Sequence, residues 1–258
     1  MPALKGRPMH SIDISEEAGV RQLHFGSDWV QGAMRIARPW SLELHYTREL
    51  MAALLLKPEE IWPRRALLVG LGAGSVPKFL YRHRPECRIT VVEIDARMES
   101  VARHYFRLPD DRQRLSIVVD DGARFMAAGG DNYDLIVVDG FDADGRAGVL
   151  DTTPFYTACR ARLADQGLIA INHLGRNRGY RASVERIAGA FDGRVLAFPS
   201  CDSGNAISFA TVGDVLVCSL DDLRERAVAL KAATGLDLLP TLTRVQMAHT
   251  LPGGRLAL

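Results

Sequence analysis

The chain has 258 residues, of which 47% are hydrophobic and 24% are charged, and its net charge at pH 7 is +1. This composition is typical of a globular protein with one large domain, or one domain and a small appendage. The nearly neutral charge and the short apolar runs argue against a nucleic acid or a membrane as partner. Because the N-terminus lacks the apolar core of a signal peptide, we expect a cytoplasmic protein. The four cysteines are widely spaced and form no C-x-x-C pair, so no metal site is predicted.

The first part of the chain differs from the rest. Residues 20–25 (VRQLHF) and 29–37 (WVQGAMRIA) flank a G-S-D turn, which predicts a small β-hairpin. Residues 41–56 (SLELHYTRELMAALLL) predict a helix with Ser41 as its N-cap. We therefore expect an N-terminal extension made of a hairpin and a helix.

From there on, short apolar runs alternate with stretches of helical pattern. The runs are continuously apolar, which is typical of parallel strands covered on both faces. This alternation predicts an α/β fold, doubly wound and Rossmann-like, with a mostly parallel seven-stranded sheet. We assign residues 1–62 to the extension and residues 63–258 to the α/β domain. The predicted strands are 65–70, 88–93, 115–119, 134–139 and 167–172, with helices at 75–84, 96–106, 121–128 and 153–164. A β-hairpin of 194–199 and 205–212 and a helix at 220–235 are predicted to follow.

Three alternating glycines, Gly70, Gly72 and Gly74, follow the first of these strands in the run 66-ALLVGLGAG-74. Glycines at a strand-to-helix turn allow a sharp bend and the close approach of a ligand. The dinucleotide pattern G-x-G-x-x-G requires a third glycine where this chain has Ser75. The spacing G-x-G-x-G is expected instead for S-adenosyl ligands. We predict that this turn, with Ala73 in its middle, binds such a ligand, and a purely structural turn is the alternative.

Carboxylates follow the next two predicted strands. Glu93 ends the second strand, where it can accept hydrogen bonds from both ribose hydroxyls. After the third strand, Asp121 is expected to meet the adenine amine, beside the small residues Gly122 and Ala123, of which Ala123 offers a backbone or packing contact. Helix capping is the alternative role of Asp121.

Two further carboxylates, Asp139 and Asp142, follow the fourth strand in the run 133-YDLIVVDGFDADG-145. An alkyl group leaves a sulfonium by in-line attack, so an enzyme must hold the nucleophile in line and unprotonated. An amine nucleophile arrives as an ammonium, and paired carboxylates can bind this cation and accept its proton. We predict that Asp139 and Asp142 do so, and a solvated acidic loop is the alternative.

The chain from residue 66 to about 212 resembles the spermidine synthase (polyamine aminopropyltransferase) family. The resemblance lies in the D-x-x-D of Asp139 and Asp142 and in the runs GLGAG (70–74), VVEID (91–95), DDGARF (120–125), VVDGFDADG (137–145) and TPFYTACRARLADQGLIAIN (153–172). The N-terminal WVQ (29–31) also resembles the hairpin in which the family contacts the nucleoside with a glutamine, here Gln31.

This resemblance implies a class I methyltransferase-type fold and the transfer of an aminopropyl group from decarboxylated S-adenosylmethionine to a small-molecule amine. It implies that Asp139 accepts the proton and that Asp142 helps to hold the amine. Tyr46 and Tyr156 are candidates for the acceptor side of the pocket, although packing explains them equally well. A homodimer is expected from the family.

The family carries an aspartate at the position of Ala73, where it grips the ammonium of the aminopropyl donor. A carboxylate at this position also repels the α-carboxylate of S-adenosylmethionine, whereas alanine does not. Two alternatives therefore stay open. One is a methyltransferase that uses S-adenosylmethionine on a small, non-polyamine acceptor, and the other is a non-catalytic nucleoside-binding homologue.

Overall fold

The computed structural model describes residues 10–141, 145–174, 179–199, 204–248 and 252–258. Its N-terminal part begins with a three-stranded antiparallel sheet of β1 (Asp13–Glu17), β2 (Val20–His24) and β3 (Gly32–Arg35). The predicted hairpin is therefore confirmed as β2 and β3, and β1 adds a strand that the sequence did not indicate.

The helix predicted at 41–56 is two short helices, α1 (His45–Leu50) and α2 (Ala53–Leu56). The N-cap of α1 is Leu44 in an extended conformation, so the prediction of Ser41 as N-cap was wrong. Because Leu50 and all of α2 are buried, packing rather than a long amphipathic stripe determines this segment.

A seven-stranded sheet forms the centre of the fold, in agreement with the predicted class. It contains β4 (Arg65–Val69), β5 (Arg88–Glu93), β6 (Leu115–Val119), β7 (Tyr133–Val138), β8 (Leu163–Leu174), β9 (Val195–Ala197) and β10 (Asn205–Thr211). The strand order is β6-β5-β4-β7-β8-β10-β9. The pairs from β6 to β8 are parallel, while β10 is antiparallel to both β8 and β9. The predicted C-terminal hairpin lies at one edge of the sheet, as expected.

The connecting segments are α3 (Ser75–His83), α4 (Arg97–Phe106), α5 (Gly122–Ala127), α6 (Thr153–Ala161), α7 (Tyr180–Ala190) and α8 (Leu220–Thr234), with a 3-10 turn at Gly148–Asp151. All of these helices except α7, which the sequence did not indicate, match predicted helices to within a few residues. A further helix, α9 (Leu239–Met247), and a ribbon of β11 (Val217–Ser219) and β12 (Arg255–Ala257) belong to the C-terminal part. Within the described ranges, no helix has the length and apolar character that crossing a membrane requires.

The apolar side chains of the parallel strands alternate between two cores. Leu68, Val137 and Ala170 face the larger one, which also contains residues of β2, β3, α1, α2, α4, α8 and α9. Leu67 and Ile169 face the smaller one, beneath α5, α6 and α7. The N-terminal sheet thus shares a core with the central sheet, and the division of the chain between residues 62 and 63 stays a prediction.

Candidate active site

The functional residues expected from the sequence meet at the carboxyl edge of the parallel strands. Gly70 follows β4, Glu93 ends β5, Asp121 follows β6 and Asp139 follows β7. Parallel strands run in the same direction, so residues far apart in sequence reach the same edge of the sheet.

The glycine turn is shaped by the backbone of Asp139. Gly70 has φ +102°, and a Cβ at this position would stand 2.3 Å from the backbone oxygen of Asp139. Gly72 and Gly74 also have positive φ values, and Gly74 directly precedes α3. The turn and the candidate base are therefore packed together, and only glycine fits at position 70.

The N-terminal hairpin covers this turn. The backbone oxygen of Gln31 lies 3.5 Å from the place where a Cβ on Gly72 would stand. Ser75 donates a hydrogen bond to the backbone oxygen of Ala33 at 3.2 Å. Ala73 is 3% exposed, because its side chain packs against Gly32 of β3. The side chain at position 73 thus faces the hairpin rather than open space.

Glu93 holds the turn through the backbone. One carboxylate oxygen accepts the N–H of Leu71 at 2.9 Å, and the other accepts the N–H of Asp95 at 2.9 Å. Burial raises the pKa of Glu93, and these backbone hydrogen bonds act in the opposite direction. Each oxygen retains a lone pair, so the carboxylate can still accept hydrogen bonds from a ligand.

Asp121 caps α5, since its side chain accepts the N–H of Arg124 at 2.9 Å. This contact supports the capping interpretation, and the adenine contact stays a prediction. Gly122 is buried and lies so close to Val69 that its Cβ would stand 2.5 Å from a Val69 methyl carbon. Ala123 is partly buried against the smaller core.

Asp139 is held by two side chains. Asn172, near the end of β8, donates a hydrogen bond from Nδ2 to Oδ1 of Asp139 at 2.8 Å. The hydroxyl of Tyr46 on α1 is also hydrogen-bonded to Asp139. Burial raises the pKa of Asp139, while the hydrogen bonds from Asn172 and Tyr46 lower it. Burial and the charge of Asp139 raise the pKa of Tyr46, so Tyr46 keeps its proton and acts as the donor.

Two further residues, Tyr156 and Asp142, were expected on the acceptor side of the pocket. Tyr156 is 1% exposed, and its hydroxyl donates to Asp151 at 2.8 Å on the side of the smaller core. This supports the packing interpretation of Tyr156. Asp142 lies outside the described residues, so its role stays a prediction.

Two asparagines of the site were not predicted from the sequence. Asn172 ends the apolar run GLIAIN (167–172), and a polar amide at the end of a buried strand was the available signal. Asn205 donates to Asn172 at 3.0 Å, and its place after a polar turn gave no such signal. Their connection depends on the pairing of β8 with β10, which brings together residues far apart along the chain.

Comparisons with known proteins find relatives along most of the chain. A family model described as the spermine/spermidine synthase domain matches residues 43–176. A polyamine aminopropyltransferase of Neisseria meningitidis serogroup A is 35% identical over 236 residues, which are 92% of this chain and 88% of that protein. One from Chromobacterium violaceum is 31% identical over 255 residues, covering 99% of this chain and 96% of the other.

The fold also matches a solved structure. The crystal structure of a probable spermidine synthase from Corynebacterium glutamicum aligns with a TM-score of 0.71 at 18% identity. The alignment covers 88% of this chain and 91% of that one. At this level of identity the match establishes the α/β architecture alone.

Proposed function

This chain belongs to the spermine/spermidine synthase family, and we propose that it transfers an aminopropyl group from decarboxylated S-adenosylmethionine to a small amine. The observation that carries the proposal is the position of Asp139, beside the glycine turn and hydrogen-bonded to Tyr46 and Asn172. The similarity to polyamine aminopropyltransferases over nearly the whole chain supports it.

The donor is proposed to bind along the carboxyl edge of the sheet. The backbone of the glycine turn offers an approach without side chains, and Glu93 offers carboxylate oxygens to the ribose hydroxyls. Gln31, Gly122 and Ala123 would border the nucleoside. In this arrangement the sulfonium lies near Asp139, because Asp139 packs against the turn itself.

The proposed reaction needs one base. The acceptor arrives as an ammonium, and Asp139 accepts one proton from it, which frees the lone pair of the nitrogen. The nitrogen then attacks the propyl carbon bonded to the sulfonium sulfur, in line with the C–S bond. The C–N bond forms as the C–S bond breaks, the sulfur leaves as the neutral thioether 5′-methylthioadenosine, and the product nitrogen keeps its two protons and carries the positive charge. Tyr46 and Asn172 support this role, because their hydrogen bonds favour the ionised carboxylate.

The donor form is a separate part of the proposal. Since the side chain of Ala73 is covered by Gly32, position 73 neither holds an ammonium nor repels a carboxylate. We therefore propose that acidic groups near the reacting carbon, Asp139 and Asp142, select the decarboxylated donor. A carboxylate on the donor would be repelled by them, while its amine would be attracted.

The test compares both donors with the same enzyme. We would titrate the protein calorimetrically with S-adenosylmethionine and with its decarboxylated form, and analyse the products with a panel of linear diamines by mass spectrometry. An aminopropylated diamine with 5′-methylthioadenosine is the expected result. A methylated diamine with S-adenosylhomocysteine would replace the proposal with methyl transfer. If neither donor binds at millimolar concentration, the protein is a non-catalytic homologue.

A further inference from the structure

Two buried asparagines connect strand β10 to the proposed base. Asn205 donates from Nδ2 to Oδ1 of Asn172 at 3.0 Å, and Asn172 donates from its own Nδ2 to Oδ1 of Asp139 at 2.8 Å. Asn172 is 5% exposed and Asn205 is 9% exposed. Both amides are thus shielded from water, and their orientation depends on protein groups.

The strand register determines this connection. In the antiparallel pair, Asn172 lies opposite Ile207 and Asn205 lies opposite Leu174. The two asparagines are therefore diagonal neighbours on one face of the sheet, within reach of each other's side chains. Ile207 and Phe209 continue this face into the larger core, to which Tyr46 of α1 also packs. The face that carries the asparagines is thus the one that Tyr46 covers.

The orientation of the Asn172 amide has a chemical consequence. An ionised carboxylate only accepts hydrogen bonds, so Asn172 stabilises Asp139 only with its NH2 group towards it. Its carbonyl oxygen then faces β10 and requires a donor there. Rotated by half a turn, the same amide would direct its oxygen at the carboxylate and favour the protonated form of Asp139.

We infer that Asn205 is a positioning residue, which fixes the Asn172 amide with its NH2 group towards Asp139 and so keeps the base ionised. Asn205 acts on Asp139 through Asn172, since its amide donates to Asn172 and the amide of Asn172 donates to Asp139. The inference deepens the proposed function and rests on it for the role of Asp139 as base. The hydrogen-bond chain itself is independent of which group is transferred.

Two of the described side chains donate hydrogen bonds to Asp139. Tyr46 comes from α1 and Asn172 from β8, and both hydrogen bonds favour the ionised form. Burial opposes them. Within the described ranges, burial and these two neutral donors determine the direction of the pKa of Asp139, while the second carboxylate expected beside it, Asp142, lies outside those ranges.

The first experiment reads the ionisation of Asp139 directly, without substrate. The carboxyl carbon of Asp139 is followed by NMR as a function of pH, and its resonance is assigned by its loss in Asp139→Asn. Asn205→Leu keeps a side chain of similar shape but removes the hydrogen-bond donor. In this variant the midpoint of the Asp139 titration is expected to rise by about one pH unit. Thr211→Val on the same strand is the control, because the Thr211 hydroxyl is buried without a hydrogen-bond partner in the part of the chain that the structure describes.

A double-variant comparison separates positioning from packing. If Asn205 acts through Asn172, then Asn172→Leu raises the midpoint of Asp139 and adding Asn205→Leu raises it no further. The acidic limb of kcat/KM is expected to move with the midpoint, while the affinity for the donor stays unchanged. An unchanged midpoint in Asn205→Leu, or shifts that add in the double variant, would overturn the inference even if aminopropyl transfer is established.

A measurement on the unaltered protein keeps the inference testable if these variants do not fold. The NMR resonances of the side-chain amide nitrogens of both asparagines should shift with pH, with the same midpoint as the Asp139 carboxyl group, since the three side chains form one hydrogen-bonded chain. Amide resonances that do not respond to this titration would contradict the inference. If the midpoints move as expected but no aminopropyl product forms, the positioning role holds and the proposed function fails.

Discussion

Gly32 of the N-terminal hairpin lies against Ala73 of the glycine turn so closely that a Cβ on Gly32 would stand 2.6 Å from the Ala73 Cβ. It would also stand 2.9 Å from the Ala73 backbone nitrogen. Real Cβ atoms do not approach other atoms so closely, so the two positions are restricted together. The hairpin therefore determines the environment of Ala73, the residue in the middle of the glycine turn.

Replacing Gly32 by alanine should displace the hairpin or the glycine turn. We expect Gly32→Ala to lower the free energy of unfolding by about 1–3 kcal/mol through overpacking. The donor affinity should fall about tenfold, equivalent to about 1.4 kcal/mol. Chemical denaturation and calorimetric titration measure the two effects. Gly189→Ala in α7 is the control, because a Cβ there meets nothing within 4 Å and alanine favours the helix. Equal donor affinity in all three proteins would show that the contact does not matter for binding.

Asp139→Asn keeps the shape of the side chain but removes its basicity. The turnover number should fall by about 10²–10⁴-fold, the usual contribution of a general base. Asp134→Asn, at the other end of β7, is the control, since Asp134 accepts the backbone N–H groups of Arg64 and Arg65 far from the site. Turnover measured at saturating donor and acceptor checks the prediction. A rate within twofold of the unaltered enzyme would remove Asp139 from the role of base.

Tyr46→Phe removes one of the two hydrogen bonds to Asp139. Because this hydrogen bond lowers the pKa of Asp139, its loss should raise that pKa and move the acidic limb of kcat/KM to higher pH. A hydrogen bond to a charged group contributes about 1.5–3 kcal/mol, so kcat/KM near neutral pH should fall about ten- to hundredfold. Tyr81→Phe on α3, which removes a hydrogen bond to Asp111, should leave the pH profile unchanged. An identical acidic limb in Tyr46→Phe would contradict the expected contact.

The burial of Lys78 should make the free energy of unfolding depend on pH. Its side chain is 2% exposed and donates to the backbone oxygen of Phe106, and burial, with the nearby Arg107, lowers its pKa to about 7. In the unfolded chain, lysine has a pKa of about 10.4. Between these values the unfolded state binds more protons, so this group makes the protein more stable as pH rises from about 7 to about 10.

Lys78→Met should remove this dependence. The free energy of unfolding of the unaltered protein should rise relative to the variant by about 1 kcal/mol per pH unit in that range. Lys57→Met, which replaces a partly exposed lysine at the end of α2, should preserve the rise. Denaturation series at several pH values measure it, and parallel curves for Lys78→Met and the unaltered protein would contradict the lowered pKa.

The ion pair between Glu49 and Arg244 joins α1 to the C-terminal helix α9. Glu49 is 2% exposed, and burial raises its pKa despite Arg244. Arg244→Met leaves this carboxylate without its cation and should cost about 3 kcal/mol of stability near neutral pH. The loss should shrink in acid, where Glu49 takes up a proton. The double variant with Glu49→Leu should recover most of the loss, and a double variant as unstable as the single one would assign the effect to lost packing.

Much of this protein follows from local patterns in its sequence. Continuous apolar runs predicted the buried parallel strands, because a strand covered on both faces has no polar side to alternate with. The glycine turn, Glu93 and Asp139 were predicted at one edge, since parallel strands must end together. The helix at 41–56 was predicted as one continuous element, which was wrong, because its break depends on how α1 packs on β8 and β10 and how α2 packs on α8.

The sequence by itself thus determined the central sheet, the glycine turn after its first parallel strand and the carboxylate of Asp139 beside that turn. Only the tertiary structure decided which groups hold that carboxylate, through Tyr46 from the N-terminal extension and the chain from Asn205 to Asn172. It also decided that Ala73 faces Gly32. The physical reason is that these contacts join segments distant along the chain, and their geometry comes from strand register and helix packing, which no local pattern encodes.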